Sequence, residues 1–446
     1  MSISVAILAA GAGTRMKSSL PKVLHKICGK EMLFYSIDEA LKISDDIHIV
    51  LFHQHEKIKE AIQKSFGDSK ITFHIQNHLS YPGTGGALMN GADQNPISTK
   101  YDKVLVLNGD MPLVKEKELL KLISPASAVS MSVLTLENPT GYGRVIIEDK
   151  KVTSIVEEKD AQEATKSICI VNAGVYVFER HILETYLPKL NNHNNQKEYY
   201  LTDIIGLCAK DNKEVMPVFV NEKDFMGVNS KSQLAYAESI MLQDLRNKAM
   251  DQGVIMHLPE TIYLESEVVF EGECEIENGV CIKGKSKIIN SHIKAHTVIE
   301  NSCIKDSDIG PMAHIRPGCQ ISNTHIGNFV ELKASILNGV KAGHLSYLGD
   351  CSIDEGSNIG AGVITCNYDG KKKHKTIIGK NVFVGSDTQL IAPINIASNV
   401  LIGSGTTMTK DAKEGDLITS RVKQENKAGG FYRFFGYSKE SSQSND

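Results

Sequence analysis

The 446-residue chain contains no tryptophan, and aromatic residues make up only 6% of it. It has no run of about 18 or more apolar residues, which excludes a helix that spans a membrane. No basic segment precedes the first apolar stretch, so we expect no signal peptide. The nine cysteines include no CxxC pair and no spacing typical of zinc ligands. They are predicted to be reduced thiols in a cytoplasmic protein.

Charge and composition restrict the partners and the domain number. The formal net charge is −4 and no long basic face is present, so nucleic acid is not expected as a partner. A hydrophobic content of 41% with 23% charged residues is typical of a globular protein. Of the 36 glycines, 14 fall in residues 1–252 and 21 in residues 253–430. The two parts are therefore predicted to be built differently.

The first part alternates apolar runs with segments of helical spacing. Val5–Ala10, Ile47–Phe52 and Lys103–Leu107 are continuous apolar runs, as expected of strands that are buried on both faces. Such strands separated by helices are typical of a parallel, doubly wound, Rossmann-like α/β sheet. Val129–Leu136 and Val171–Phe178 are predicted to extend it.

A helix is predicted to connect the two parts. One face of residues 231–250 carries Leu234, Ala237, Met241, Leu245 and Ala249, and a glycine follows. We therefore predict an α/β domain at 1–228, a linker helix at 229–252, a second domain at 253–437 and a disordered polar tail at 438–446.

The second part has neither the helical nor the alternating period. Aliphatic residues recur every six positions, the longest series being Ile378, Val384, Leu390, Ile396, Ile402 and Met408. A six-residue period is typical of a parallel β-helix of hexapeptide repeats. Each short strand there places one aliphatic side chain in a narrow prism, and small residues turn the corners.

A glycine-rich loop follows the first strand. Gly11-Ala12-Gly13 lets backbone N–H groups approach phosphate oxygens, and Arg15 and Lys22 add positive charge. The loop matches neither the Rossmann fingerprint nor a Walker A motif. Taken alone, such a pair of glycines is as compatible with a tight strand–helix turn as with a phosphate site.

The longer string is more specific. LAAGAGTRMKSSLPKVL resembles the signature of sugar-1-phosphate nucleotidyltransferases. With the hexapeptide β-helix behind it, residues 3–425 resemble the bacterial bifunctional N-acetylglucosamine-1-phosphate uridyltransferase/glucosamine-1-phosphate acetyltransferase family. The resemblance implies a left-handed β-helix and two reactions of UDP-N-acetylglucosamine synthesis, which supplies peptidoglycan and lipopolysaccharide. The C-terminal domain would acetylate glucosamine-1-phosphate with acetyl-CoA, and the N-terminal domain would join the product to UTP and release pyrophosphate.

The resemblance also implies the residues of the nucleotide site. The positions that match those binding UTP or UDP-N-acetylglucosamine are Leu8, Ala9, Ala10, Gly11, Lys22, Gln76, Gly83, Thr84, Asn108, Gly109, Asp110, Gly143, Glu157, Asn172 and Asn229. Many family members carry Tyr at position 108, so we expect no ring stacking there. Asp110 and Asn229 would hold Mg²⁺, while Arg15 and Lys22 would neutralise the triphosphate. Simpler roles stay open: Asp110 could close a turn, and Asn229 could cap the next helix.

Polar strings within the β-helix match the acetyltransferase site. The resemblance implies His344 as the general base, a role that suits histidine because an unperturbed imidazole has a pKa near neutrality, and Glu331 as the residue that orients it. The implied glucosamine-1-phosphate ligands are Arg316, Lys333, Tyr347 and Asn358. The implied acetyl-CoA ligands are Ala361, Asn367, Tyr368, Ser386, Ser404 and Arg421. The basic run at 371–375 is predicted to be a solvated loop, with attraction of the coenzyme phosphates as the weaker alternative.

The family resemblance further implies a homotrimer with acetyl sites between subunits. Two alternatives remain. One is a single-activity sugar-1-phosphate nucleotidyltransferase whose β-helix is structural, against which the KAGHLSY and NYDG strings argue. The other is a β-helix binding protein with a vestigial N-terminal domain, against which the intact glycine loop, Lys22 and Asp110 argue.

Overall fold

A computed structural model of the chain describes residues 2–67 and 70–437. The predicted tail at 438–446 lies outside the described residues. The chain divides into two compact units, one of residues 1–248 with 264–266 and one of residues 249–263 with the chain from 267 onward. Within the described residues, no helix is both long and apolar enough to cross a membrane.

The first unit contains a mixed sheet with the strand order β11-β7-β10-β6-β1-β4-β5, and β8 pairs with β10 and β9. Its strands, with the separate β2–β3 hairpin, are β1 (Ser4–Ala9), β2 (Lys26–Ile27), β3 (Lys30–Glu31), β4 (Ile47–Leu51), β5 (Ile71–Ile75), β6 (Lys103–Asn108), β7 (Val129–Thr135), β8 (Arg144–Glu148), β9 (Lys151–Val156), β10 (Ile170–Glu179) and β11 (Val215–Phe219). The three strands predicted first are parallel neighbours in the order β6-β1-β4.

The sheet departs from the predicted parallel arrangement at β10 and in the antiparallel β8–β9 pair. β10 runs antiparallel to both β6 and β7. The apolar run that predicted this strand carries no information about its direction, since a buried strand is apolar in either orientation. Aliphatic residues from both faces of the sheet pack against the surrounding helices.

Eight of the described α-helices begin in the first unit: α1 (Met32–Ile43), α2 (His55–Phe66), α3 (Gly83–Ala87), α4 (Glu116–Ile123), α5 (Glu163–Lys166), α6 (Arg180–Tyr186), α7 (Asp203–Lys210) and α8 (Lys231–Asp251). The predicted amphipathic helix is α8. Ala237 is buried on its apolar face, and Leu234, Met241 and Leu245 pack against the same core cluster. Short 3₁₀ helices occur at Thr14–Met16, Lys22–Leu24 and Leu187–Lys189, and in the second unit at Pro259–Thr261.

The second unit is the predicted left-handed parallel β-helix, built from three parallel sheets of ten, nine and eight short strands. The first sheet contains β12 (Ile255–Met256), β15 (Glu275–Ile276), β18 (His292–Ile293), β21 (Asp308–Ile309), β24 (His325–Asn328), β27 (Lys341–His344), β30 (Asn358–Ile359), β33 (Phe383–Val384), β36 (Leu401–Ile402) and β38 (Leu417–Ile418).

The second sheet contains β13 (Tyr263–Leu264), β16 (Cys281–Lys283), β19 (Val298–Glu300), β22 (His314–Ile315), β25 (Glu331–Lys333), β28 (Tyr347–Gly349), β31 (Ile364–Cys366), β34 (Gln389–Ile391) and β37 (Thr407–Met408). The third contains β14 (Val269–Glu271), β17 (Lys287–Ile289), β20 (Cys303–Lys305), β23 (Gln320–Ser322), β26 (Ile336–Asn338), β29 (Cys351–Ile353), β32 (Thr376–Ile378) and β35 (Ile394–Ile396). A short helix, α9 (Gly430–Phe435), follows the coils.

The six-residue period corresponds to the interior of the prism. All six members of the longest predicted series, from Ile378 to Met408, are buried. The neighbouring residue on either side points outward, because side chains alternate across a strand. No disulfide bond joins the cysteines within residues 2–67 and 70–437. Burial raises the pKa of the Cys351 thiol to about 12, so this side chain acts as a small apolar residue.

Candidate active sites

The candidate nucleotide site is a cavity of about 420 Å³ in the first unit, beyond the carboxyl ends of β1 and β6. Parallel strands of an α/β sheet characteristically form ligand sites at this edge. The cavity brings together most of the nucleotide residues implied by the sequence, namely Leu8, Ala9, Ala10, Gly11, Lys22, Gln76, Gly83, Thr84, Asn108 and Asp110. These residues come from four separate stretches of the chain.

The glycine-rich loop turns sharply after β1. Gly13 has a φ of 63°, and a Cβ atom there would lie 2.6 Å from Cβ of Lys22. Only glycine allows both this conformation and this close approach, so Gly13 lets the chain fold back over Lys22. Arg15 is exposed on the 3₁₀ helix that follows and is not among the residues that line the cavity.

Three polar side chains meet at one end of the cavity. The Lys22 ammonium group donates to the carboxylate of Asp110 and, over 3.0 Å, to Oδ1 of Asn229. The backbone N–H of Val228 donates to the carbonyl oxygen of Asp110 over 2.9 Å and so fixes Asn229 beside the end of β6. A carboxylate and an amide oxygen thus already surround a cation, and oxygen ligands of this kind suit Mg²⁺.

The capping alternative for Asn229 is wrong. The hydroxyl of Ser230 accepts from the backbone N–H of Gln233 in the first turn of α8, so Ser230 provides the side-chain contact of a cap. The Asn229 side chain faces Lys22 instead. Asp110 does lie in the turn that follows β6, but its carboxylate is also paired with Lys22 at the end of the cavity.

A second polar group in the cavity is Gln76, which is 5% exposed. Its Nε2 atom donates to the carbonyl oxygens of Tyr81, over 2.9 Å, and of Gly83, over 3.0 Å. Because both amide hydrogens are used, the side-chain oxygen is the group left for a ligand. A Cβ at Gly83 would lie 2.7 Å from the carbonyl oxygen of Tyr199, so this turn also requires glycine.

A smaller cavity of about 110 Å³ adjoins the first and shares Leu8, Thr84 and Asn108 with it. Glu157 and Asn172, the residues predicted to hold the sugar, line this smaller cavity. Its remaining described lining residues include Tyr176 and Thr202, which the sequence analysis did not identify. Tyr176 is buried and lies on the same strand as Asn172, four residues further on.

Hydrogen bonds hold the residues of the smaller cavity in place. Asn172 Nδ2 donates to the Tyr176 hydroxyl over 2.6 Å, and Asn172 Oδ1 accepts from the Gly174 N–H over 2.9 Å. Asn108 Nδ2 donates to the Gly174 carbonyl oxygen over 3.2 Å, so position 108 contributes a hydrogen bond without a stacked ring.

Two of the predicted glycines lie behind the cavity walls. A Cβ at Gly143 would lie 3.4 Å from the carboxylate of Glu157. A Cβ at Gly109 would lie 2.8 Å from Leu33. Both positions therefore allow close packing behind the site.

Glu157 is partly buried, and the loss of solvent raises the pKa of its carboxyl group; the nearby carboxylates of Asp203 and Asp160 raise it further. The Thr202 hydroxyl, which donates to Oε1 of Glu157 over 3.1 Å, opposes this rise. Thr202 therefore both orients the carboxylate and favours its ionised form.

In the β-helix, three of the predicted glucosamine-1-phosphate residues lie on the second sheet. Arg316 follows β22, Lys333 ends β25 and Tyr347 begins β28, on successive coils. Gly349, the register partner of Lys333, leaves room for the Tyr347 hydroxyl, which a Cβ would approach to 2.5 Å. An arginine, a lysine and a phenol on adjacent coils form a surface suited to a phosphate group.

The structure corrects the role proposed for Glu331 and adds a lysine. Glu331 Oε1 accepts from Arg316 over 2.9 Å, and no described contact joins it to His344. Glu331 therefore orients Arg316. The ammonium group of Lys333 lowers the pKa of Lys373 in the basic run that was predicted to be solvated. Two neighbouring lysine ammonium groups repel each other, and an anion between them would relieve the repulsion.

His344 ends β27 at the corner between the first and second sheets. Ala361, Ser386 and Ser404 occupy the same corner on later coils, joined by backbone bonds from Asp387 to Ala361 and from Gly405 to Ser386. The Arg421 guanidinium donates to the Ser404 carbonyl oxygen over 3.1 Å. The structure thus aligns four of the predicted acetyl-CoA residues in one row that continues from His344.

The other three predicted residues differ in position. Asn358 begins β30 on the first sheet, where it pairs with Lys341 and Phe383. Asn367 and Tyr368 belong to the loop between β31 and β32, and the Asn367 amide lies beside the Tyr347 hydroxyl, since a Cβ at Gly349 would approach both groups to within 2.8 Å. A single chain therefore does not bring all the predicted acetyltransferase residues to one place.

Comparison with known proteins identifies the family. Residues 5–171 match the model of the MobA-like NTP transferase domain. The chain is 62% identical over 444 residues to the bifunctional protein GlmU of Helicobacter hepaticus, covering 98% of each chain. It is 60% identical to the protein of the same name from Wolinella succinogenes, over 98% of this chain and 100% of the relative. For that of Helicobacter pylori strain 26695 the identity is 57%, over 97% and 99%.

The chain belongs to the GlmU family. The resemblance drawn from the sequence is thereby confirmed, as are the fold class and the pair of transferase activities in UDP-N-acetylglucosamine synthesis. Nucleotides and sugar phosphates are accordingly its substrates.

Proposed function

We propose that the two adjoining cavities of the first unit bind UTP and N-acetylglucosamine-1-phosphate, and that the coil edges of the second unit carry acetyl transfer. The observation that carries the first assignment is the convergence of Lys22, Asp110 and Asn229 at the end of a cavity whose lining includes ten of the residues implied for the nucleotide.

In uridylyl transfer, a phosphate oxygen of the sugar phosphate attacks the α-phosphorus of UTP, and the bond to the bridging oxygen breaks to release pyrophosphate. Both reactants are anionic, so the site must above all supply positive charge. Lys22 would hold the triphosphate, and the exposed Arg15 would add positive charge near the triphosphate from the 3₁₀ helix that follows the glycine-rich loop. Asp110 and Asn229 would hold Mg²⁺, which would neutralise further charge when bound.

The remaining residues of the first unit position the reactants. Gln76 would present its side-chain oxygen to the base. Glu157 and Asn172 would hold the sugar, and the hydrogen bonds from Thr202 and to Tyr176 support this by fixing both side chains. No covalent nucleophile is required.

In acetyl transfer, the amine of glucosamine-1-phosphate attacks the thioester carbonyl of acetyl-CoA, and the coenzyme thiol leaves. The His344 imidazole would accept the proton that the attacking nitrogen loses. Arg316, Lys333 and Lys373 would hold the phosphate group, with Tyr347 beside the sugar.

We further propose a cytoplasmic homotrimer with acetyl sites between subunits. The separation of Asn358 from Tyr347 and from the row beyond His344 supports this, since a neighbouring copy would bring such groups together. Phe383, Leu401 and Leu417 also form an outward apolar column on the first sheet, each about half exposed or more, at 50%, 47% and 68%. Light scattering with an acetylation assay tests the assembly, and a fully active monomer would contradict it.

The function as a whole is tested by incubating the protein with glucosamine-1-phosphate, acetyl-CoA, UTP and Mg²⁺, and omitting one component at a time. UDP-N-acetylglucosamine should form only in the complete mixture. Supplying N-acetylglucosamine-1-phosphate should remove the need for acetyl-CoA. Thiol release without nucleotide product, or the reverse, would reduce the proposal to one activity.

A further inference from the structure

One wall of the larger cavity contains a pair of aromatic rings that no role considered above explains. The rings of Phe52 and His78 have their centroids 4.6 Å apart and an interplanar angle of 22°, so they are stacked. Both residues line the cavity, and both are only half-buried. In the described part of the chain, the His78 imidazole makes this ring contact and no side-chain hydrogen bond.

The segment that carries His78 is held rigidly. Phe52 follows directly after β4, and His78 lies two residues beyond Gln76, whose carbonyl oxygen accepts from the His78 N–H over 3.0 Å. Asn77 Nδ2 donates to the Gly91 carbonyl oxygen over 3.0 Å, and the Gln76 amide bonds to the far end of the same segment. These hydrogen bonds hold the backbone around His78, so the stacked rings form a surface that is in place before a ligand binds.

The position of the stack indicates what it contacts. Gln76 offers a hydrogen-bond acceptor on the same wall, while the charged groups that suit phosphates lie at Lys22 and Asp110. A flat, largely apolar ring surface beside a single acceptor fits a pyrimidine base and does not fit a triphosphate. We propose that Phe52 and His78 form the aromatic side wall of the base subsite, with His78 as a positioning residue that contacts the pyrimidine ring of UTP.

This proposal rests on the proposed binding of UTP in the cavity. Ring contact with the base would be made equally in the ground state and the transition state, because the base takes no part in bond making. Its loss should therefore raise KM for UTP and leave kcat nearly unchanged. A purely structural role would lower the stability of the unit or the amount of active enzyme instead.

The test compares His78→Phe, His78→Leu and His78→Ala in the full-length chain with Mg²⁺ and UTP. A planar ring should preserve the contact, so H78F should keep KM for UTP within about twofold, whereas H78L and H78A should raise it about five- to tenfold. Calorimetric titration with UTP should give the same order of Kd values. Phe52→Leu, which removes the supporting ring, should raise KM in the same direction. Acetyl transfer should be unchanged throughout.

His181→Ala is the matched control, since that histidine side chain is 55% exposed and is not among the cavity-lining residues. Equal KM values for H78F and H78L, or a fall in kcat without a change in KM, would overturn the proposal. Failure of the UTP assignment itself would appear differently, as undisturbed uridylyl transfer when Lys22 or Asp110 is replaced.

Discussion

The two candidate sites are built in opposite ways. In the first unit, strand ends and loops far apart in sequence converge on two adjoining cavities, and the polar groups are fixed by hydrogen bonds within one chain. In the β-helix, each coil contributes one or two side chains to an outer edge, and the groups implied for one reaction lie on different sheets and corners. His344 itself is exposed.

The difference follows from the architecture. The carboxyl edge of an α/β sheet is a natural cleft, because loops rise around it from every strand. The interior of a β-helix is a narrow prism filled by aliphatic residues, so chemistry is restricted to its outer surface. A site on such a surface becomes enclosed when another copy covers it. The comparison thus predicts one site that is complete within a chain and one that depends on assembly.

The largest effect that separates the two sites is expected from Lys22→Ala and Asp110→Ala. Each removes a charged group at the triphosphate end of the cavity, and uridylyl transfer should fall by about a thousandfold or more. Acetyl transfer should remain, because the groups proposed for it lie on the β-helix. Both activities are measured on one preparation, by pyrophosphate release and by release of the coenzyme thiol.

Lys64→Ala is the matched control for this experiment, since Lys64 is an exposed lysine on α2. It should leave both activities unchanged. Parallel loss of both activities in the Lys22 and Asp110 variants would break the comparison, because it would mean that the two sites do not act separately.

A smaller effect, on the other activity, is expected from His344→Ala. Removal of a general base typically lowers a rate by about 10²- to 10⁴-fold, so acetylation should fall within this range while uridylyl transfer is spared. His314→Ala provides the control, because His314 lies on the second sheet within reach of Glu300 and has no proposed role. Retained acetylation would refute the assignment of the base.

Much of this organisation could be predicted from the sequence. The apolar runs predicted the central strands. The six-residue period predicted the residues inside the prism, because every coil buries aliphatic side chains at equivalent positions. The matched strings predicted Lys22, Gln76 and Asp110, which line one cavity, and Asn229, which contacts Lys22 at its end. These residues lie in strings long enough to be specific.

Other features left no comparable signal. The direction of β10 cannot be read from an apolar run. Lys373 looked like one lysine among several in an exposed loop, and only the fold places it against Lys333. The pairing of Glu331 with Arg316 depends on the register between coils, which brings positions 15 residues apart onto one face. The roles of Thr202 and His78 depend on contacts with Glu157 and Phe52, which are distant in sequence and are brought together only by the fold.

The smallest expected effect concerns Thr202 and tests how finely the enclosed site is tuned. Burial raises the pKa of Glu157, and the Thr202 hydroxyl holds it down by donating to the ionised form. In Thr202→Val this bond is lost, so the pKa of Glu157 should rise further, because a hydrogen bond to the ionised carboxylate favours that form. A higher pKa means that the carboxylate is protonated at a higher pH. The acid limb of kcat/KM for N-acetylglucosamine-1-phosphate should therefore move to higher pH, with little change at alkaline pH.

Thr202→Ser is the control, because it keeps the hydroxyl and should retain the original pH profile. An identical shift in both variants would assign the effect to packing. The acetylation profile should not move, because its proposed groups lie on the exposed coil edges, where no buried carboxylate needs such support.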